Sequence, residues 1–185
     1  MSCVLIFDSS TLILLAKSEL LDLFLDDFQG TPLIPEAVEK ESTHDLRRPD
    51  AMLLVKQRVQ EGRLVVERVG QSRVLSRLLQ DFRLGSGEAE ALALALEKDA
   101  PGVVATDDRN AIRACKVLRL GFVTSLAILV RSVEKGPLTR EEGLSSLERL
   151  RPYGRFKDEV IEEVALQIGA LQIGGTAHGE GPKDG

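Results

Sequence analysis

Short apolar runs alternate along this chain with longer segments of helical periodicity, and that alternation limits the folds open to it more than any other feature. CVLIF at residues 3–7 has β-branched and aromatic members with no polar residue among them, the pattern of a strand buried on both faces. TPLIP (31–35), RLVVERV (63–69), VVAT (103–106) and GFVTS (121–125) read as further short strands. Between the first two, SSTLILLAKSELLDLFLDDF (9–28) reads as one or two helices with Ser9 and Ser10 as natural caps. EAVEKESTHDL follows Pro35 as a helix, and AMLLVKQRVQEG is a helix ended by Gly62. QSRVLSRLLQDF is amphipathic, GSGEAEALALALEKD has the alanine and leucine density of a buried helix, and DDRNAIRACKVLRL and LAILVRSVEKG follow the last two strands. A repeated βα order predicts a three-layer α/β/α fold, with a central parallel sheet of about five short strands and further helices at the C-terminus.

The 185 residues suffice for one well-buried core with an appendage, and 43% hydrophobic against 29% charged content is that of a globular protein. With no Trp, one Tyr and six Phe, that core must be aliphatic. Cys3 and Cys115 are too few for a disulfide framework and lack metal-ligand spacing. No apolar segment reaches the roughly 20 residues needed to span a bilayer, and MSCVLIFD lacks a basic leader, so a cytoplasmic protein with no membrane partner is expected. A formal charge of −5 argues against a uniformly basic nucleic-acid binder but suits carboxylates gathered around a cation.

Parallel sheets bind ligands at the carboxyl ends of their strands, which singles out certain acids. Asp8 ends the first strand, Glu41 lies in the helix after the second, Glu88 opens the alanine-rich helix, and Asp107 and Asp108 end the VVAT strand. Each has a plainer alternative. Glu39 and Glu90 compete with Glu41 and Glu88, and acids at helix starts complement the helix dipole, with Thr106 or Asp107 as an ordinary N-cap. Only two histidines, His44 and His178, occur, which disfavours a histidine acid–base nuclease. GSG at 85–87 lacks the Lys of a phosphate-binding loop, and the glycine-rich tail holding His178 reads as flexible.

The residues at these strand ends resemble the motifs of the PIN-domain nucleases, over residues 3 to about 130. IFDSSTLILLAK resembles the family's opening strand with its first Asp and a following Ser or Thr. IPEAVEKE matches the second motif through Pro35, Val38 and Glu41, and LGSGEAEALALA the third, with Glu88 where Asp is frequent. ATDDRNAIRACKVLRLGFVTS resembles the fourth, in which Thr, any residue and Asp select Asp108. GEAEA with TDDRNA, and the helical extension PLTREEGLSSLERLRPYGRFKDEVIEEVALQ, are similar to a standalone prokaryotic, VapC-like subgroup.

This resemblance implies metal-dependent cleavage of RNA by a four-carboxylate site, with Mg2+ or Mn2+ as cofactor. It implies catalytic roles for Asp8, Glu41, Glu88 and Asp108, with Asp8, Asp108 and Asp107 as metal ligands. Ser9, Thr106 and Arg109 are expected to meet substrate, although capping explains the serines as well. Partners implied are the RNA substrate, an antitoxin protein if the chain is a toxin, and a second copy in a homodimer. The corresponding division is a nuclease domain at 1–135, a helical extension at 136–168 and a tail at 169–185. In the extension, Leu138, Leu144, Leu147 and Leu150 suit core packing and an interface equally. Two other classes compete: a PIN-like scaffold that binds RNA or protein without cutting, and a metal-dependent phosphatase on a similar sheet.

Overall fold

The computed structural model describes residues 3–44, 49–98 and 102–171. Its strands β1 (Cys3–Phe7), β2 (Gly30–Pro35), β3 (Val65–Glu67), β4 (Val103–Ala105) and β5 (Gly121–Val123) form one parallel sheet in the order β3-β2-β1-β4-β5. The register sets Leu5, Ile6 and Phe7 opposite Val103, Val104 and Ala105. Because side chains alternate along a strand, Leu5 and Phe7 enter one core and Ile6, with Val104, the other. A sheet covered on both sides needs apolar residues on both faces, which is why CVLIF has no polar member.

On the Leu5 and Phe7 side lie α1 (Ser9–Lys17), α2 (Leu20–Asp27), α8 (Ser125–Glu134), α9 (Arg140–Leu150) and α10 (Asp158–Ala170). Val38 of α3 (Glu36–His44) and Val55 of α4 (Pro49–Gln60) join the same core. The opposite side is built by α5 (Arg73–Asp81), α6 (Ser86–Glu97) and α7 (Arg109–Leu118). Ala89, Ala91, Ala93 and Ala95 of α6 are all buried, and their small side chains let that helix lie close to the sheet.

Residues 9–28 form two helices, parted at Ser18 and at Glu19, which takes a left-handed backbone with φ 62°. No glycine marks this break. Burial of Leu20 and Leu21 on its far side, and an ion pair from Arg149 of α9 to Glu19 at 2.6 Å, fix it through tertiary contacts instead. Among the described residues no helix is long and apolar enough to cross a membrane.

Helices α9 and α10 bury Leu147, Leu150, Ile161, Val164 and Ile168 in the same core as Leu5 and Phe7, whereas Leu144 is exposed. Helix α10 continues to Ala170, past residue 168 where the sequence suggested an end. Arg47, Arg48 and the tail from residue 172, with His178, lie outside the described residues. Gly143 marks the closest approach of α9 to α8, since a Cβ there would stand 2.5 Å from Val133 Cγ2. Val is stiff about χ1 and cannot swing away, so overpacking outweighs the roughly 1 kcal/mol of helix propensity that alanine brings. Gly143→Ala is therefore expected to lower the melting temperature, and an unchanged or higher value would show that α9 is loosely docked.

Candidate active site

Strand β1 neighbours β2 on one side and β4 on the other, so the chain leaves β1 in one direction and returns to its far flank at β4. This is the topological switch point, where adjacent strand ends diverge and open a crevice. Asp8 and Thr106 are the first residues beyond these two strands. The Asp8 amide donates to the Ala105 carbonyl at 3.0 Å and the Thr106 amide to the Val123 carbonyl at 3.0 Å, extending the sheet pattern by one residue at each strand.

Asp8, not Ser9 or Ser10, is the N-cap of α1. Its Oδ1 accepts the Thr11 amide at 2.7 Å and the Ser10 hydroxyl at 3.2 Å, and its Oδ2 accepts the Thr106 hydroxyl at 2.5 Å. The residue is fully buried. Burial raises its pKa from 3.8 to about 6, a rise that the hydrogen bonds from Thr106 and Thr11 oppose and the charge of Glu88 reinforces. Asp108, not Thr106 or Asp107, is the N-cap of α7, its Oδ1 accepting the Asn110 and Ala111 amides at 2.8 and 2.9 Å. The Thr106 hydroxyl also accepts the Asp108 amide at 3.2 Å, so one side chain joins the two aspartates.

Glu41 reaches this end of the sheet from α3. Its carboxylate accepts the Ser9 hydroxyl at 2.5 Å and the Ser86 hydroxyl at 2.8 Å, which suspends it between the first turns of α1 and α6. Gly87 lies against it, because a Cβ at that position would stand 3.0 Å from Glu41 Oε2 and 3.4 Å from Ser9 Oγ. Glu88 is in the same first turn of α6. Its pKa is raised, first by burial and then by the negative charges of Asp108 and Glu41, while the Glu88 and Gly85 amides pull it down. The competing glutamates go elsewhere: Glu90 accepts the Ala37 amide at 3.1 Å at the start of α3, and Glu39 accepts the Thr43 hydroxyl at 3.4 Å within that helix.

Asp8, Glu41, Glu88 and Asp108 are thus brought to one end of the sheet, where Glu88 feels the charges of Asp108 and Glu41 and itself acts on Asp8. Among the described residues no group of three or more Asp, Glu, His or Cys side chains is arranged to hold a metal ion as it stands. Like charges repel, and Asp8, Glu41 and Asp108 are each held by hydroxyls or backbone amides. The donor set nonetheless fits a hard divalent cation, being carboxylate oxygen throughout with neither imidazole nor thiolate.

The remaining expected residues divide. Asp107 accepts the Thr11 hydroxyl at 3.1 Å and the Ser125 amide at 3.1 Å, and its pKa is raised by burial against those bonds. Arg109 is exposed at the first position of α7. His44 is exposed, with its Nδ1 on the Lys40 carbonyl at 3.0 Å. Sequence reasoning missed Ser86, Thr11 and Ser125, all close to helix starts, where a hydroxyl reads as a cap and its long-range partner is invisible.

A parallel sheet with carboxylates converging at its switch point is the architecture of an α/β protein that binds its ligand at the strand ends. A PIN-domain family model matches residues 4–170, through the helical extension as well as the sheet, and the chain belongs to that family. PIN domains are in general nucleases that act on nucleic acid with divalent metal ions, and the chain is built on that fold. No curated protein and no solved structure matches it.

Proposed function

We propose that the protein is an endoribonuclease that hydrolyses phosphodiesters of single-stranded RNA with Mg2+ or Mn2+, through Asp8, Glu41, Glu88 and Asp108. The observation that carries this reading is the convergence of four acids at the β1/β4 switch point: Asp8 and Asp108 are joined through the Thr106 hydroxyl, Glu41 is held between Ser9 and Ser86, and Glu88 stands in the same first turn of α6. Burial is the main cause of the raised pKa values of Asp8 and Glu88, and the negative charge of their neighbours adds to it. RNA, a VapC-like toxin role with an antitoxin, and a homodimer rest on the motif resemblance. The first of these is the most direct to test.

Asp8 and Asp108 would hold the cation, with Glu88 and Glu41 completing the site through water. The bound ion supplies a water of lowered pKa and offsets charge on the phosphodiester. What the chain itself supplies is order. Asp8 is locked by the Thr11 amide and the Thr106 hydroxyl, and Glu41 by Ser9 and Ser86, so little reorganisation is left for the reacting state. Arg109, exposed beside Asp108 in sequence, would meet a backbone phosphate, a contact that weakens with salt. Attack of water on phosphorus with departure of the 3′ oxygen, which takes up a proton, would leave a 5′-phosphate and a 3′-hydroxyl.

The test is cleavage of labelled single-stranded RNA and DNA panels with Mn2+, Mg2+ or EDTA, comparing wild type with Asp108→Asn. Metal-dependent cutting of RNA, lost in the variant, is expected. A wild type that cuts nothing with either ion would sink the enzymatic reading, and equal cutting of DNA would remove the preference for RNA.

Gly87→Ala provides a finer check. Alanine in place of helical glycine stabilises by roughly 0.5–1 kcal/mol, yet its Cβ would press on Glu41 Oε2 and Ser9 Oγ. Cleavage is expected to fall about tenfold, in line with the cost of disturbing groups that orient a metal site, while thermal stability changes little, because the gain in helix propensity is opposed by the contact of the new Cβ with the buried Val38 Cγ2 at 3.3 Å. Unchanged cleavage would show that the placing of Glu41 is unimportant.

A further inference from the structure

Asp107 stands between two acids of the proposed site in sequence, yet its carboxylate is turned to other partners. Its Oδ2 accepts the Thr11 hydroxyl at 3.1 Å, and its own amide donates back to that hydroxyl oxygen at 3.0 Å. The Ser125 amide donates to Oδ1 at 3.1 Å and to Oδ2 at 3.3 Å. Thr11 and Ser125 are both fully buried, at the starts of α1 and α8. One carboxylate thereby joins the end of β4 to the first turns of two helices that cover the same face of the sheet. Thr11 has a second task, since its amide holds Asp8 Oδ1 at 2.7 Å.

We infer that Asp107 is a positioning residue and not a cation ligand: through the Thr11 hydroxyl it fixes the first turn of α1, whose amide aims the Asp8 carboxylate. This rests on the four-carboxylate site proposed above and gives the acid beside it a different task. Two features make Thr11 the link. Its hydroxyl both donates to and accepts from Asp107, and its amide lies on the same residue, so a shift of the hydroxyl displaces the Asp8 contact directly. A ligand would lose as much Mn2+ binding as Asp108 does when its charge is removed, whereas a positioning residue would lose only what the loss of the Thr11 hydroxyl costs.

That difference sets the experiment. Mn2+ affinity by titration calorimetry, and kcat and KM for a labelled RNA, are measured on wild type, Asp107→Asn, Thr11→Val, the double variant and Thr11→Ser, with Asp108→Asn for comparison. Asp107→Asn and Thr11→Val are expected to weaken Mn2+ binding and lower kcat by the same factor, on the order of tenfold for a supporting hydrogen bond, with KM unchanged. The double variant is expected to be no worse than either single one, because both cut the same link. Thr11→Ser keeps the hydroxyl and is expected to stay within about twofold of wild type, the direction that a shared link requires. Thr11→Val is nearly isosteric and keeps the assay meaningful should Asp107→Asn fold poorly. Loss of Mn2+ binding in Asp107→Asn as deep as in Asp108→Asn, with Thr11→Val like wild type, would make Asp107 a ligand and overturn the inference. Effects that multiply in the double variant, or no effect in either single one, would overturn it as well. A wild type that neither binds Mn2+ nor cuts RNA would instead bring down the underlying function, and is told apart by that control.

Discussion

Asp8→Asn is expected to abolish cleavage and, in the same molecule, to raise the melting temperature of the metal-free protein above pH 6. Asp8 is fully buried and its pKa stands at about 6 against an ordinary 3.8. The folded state therefore binds the Asp8 proton more tightly than the unfolded chain does. Stability from this residue is complete below about pH 4 and is lost as the pH rises through about 6, where the carboxylate must sit charged inside the protein. A shift of about two units corresponds to roughly 3 kcal/mol at neutral pH, taken as an upper figure. Asparagine avoids that cost: its Oδ1 still accepts the Thr11 amide, and its Nδ2 faces the Thr106 hydroxyl oxygen, which can accept. The stability gap between variant and wild type, measured in EDTA, should open between pH 4 and pH 6 and stay constant above. Cleavage meanwhile should fall on the order of 1,000-fold, as when a group aimed at developing charge is removed. A variant that still cuts, or one less stable than wild type at every pH, would show that Asp8 is an ordinary cap.

That an aspartate stands at the end of the first strand was legible from DSS following CVLIF. Five short strands, their parallel order and the acids at their ends all followed from apolar runs and helix periods, because both are local properties of the chain. What escaped is non-local. Ser9 and Ser10 read as caps because they precede an apolar helix, but the strand ends at Phe7 and leaves Asp8 in the capping position. The Ser9 hydroxyl, freed from that task, meets Glu41 at a distance of 32 residues in sequence. Thr11 and Asp107 meet across 96 residues. A hydroxyl near a helix start carries the same signature whether it serves its own turn or an acid from another strand. The rival glutamates were separable only once folded, when Glu90 turned to the start of α3 and Glu88 to the site.

Metal binding gives the other large effect. Saturating Mn2+ is expected to raise the melting temperature by several degrees at pH 8 and by far less at pH 5. A cation that binds only the folded state stabilises by roughly 2.7 kcal/mol at a hundred times its Kd, and in a chain of this length that corresponds to several degrees. The pH dependence comes from competition. Burial and neighbouring charge raise the pKa values of Asp8 and Glu88, so at low pH a proton occupies the oxygen that a cation would need. Raising the pH removes the proton, which lowers the apparent Kd for the ion and so enlarges the measured shift. Asp22 supplies a control of opposite sign. Its pKa is lowered by the Arg58 guanidinium beside it, so its contribution is present at pH 8 and lost as the pH falls, and it is no part of the proposed cation site. Asp108→Asn should cancel most of the Mn2+ shift while Asp22→Asn leaves it in place. A shift that is flat from pH 5 to pH 8, or that survives Asp108→Asn, would mean the ion binds elsewhere, and the strained carboxylates would need another explanation.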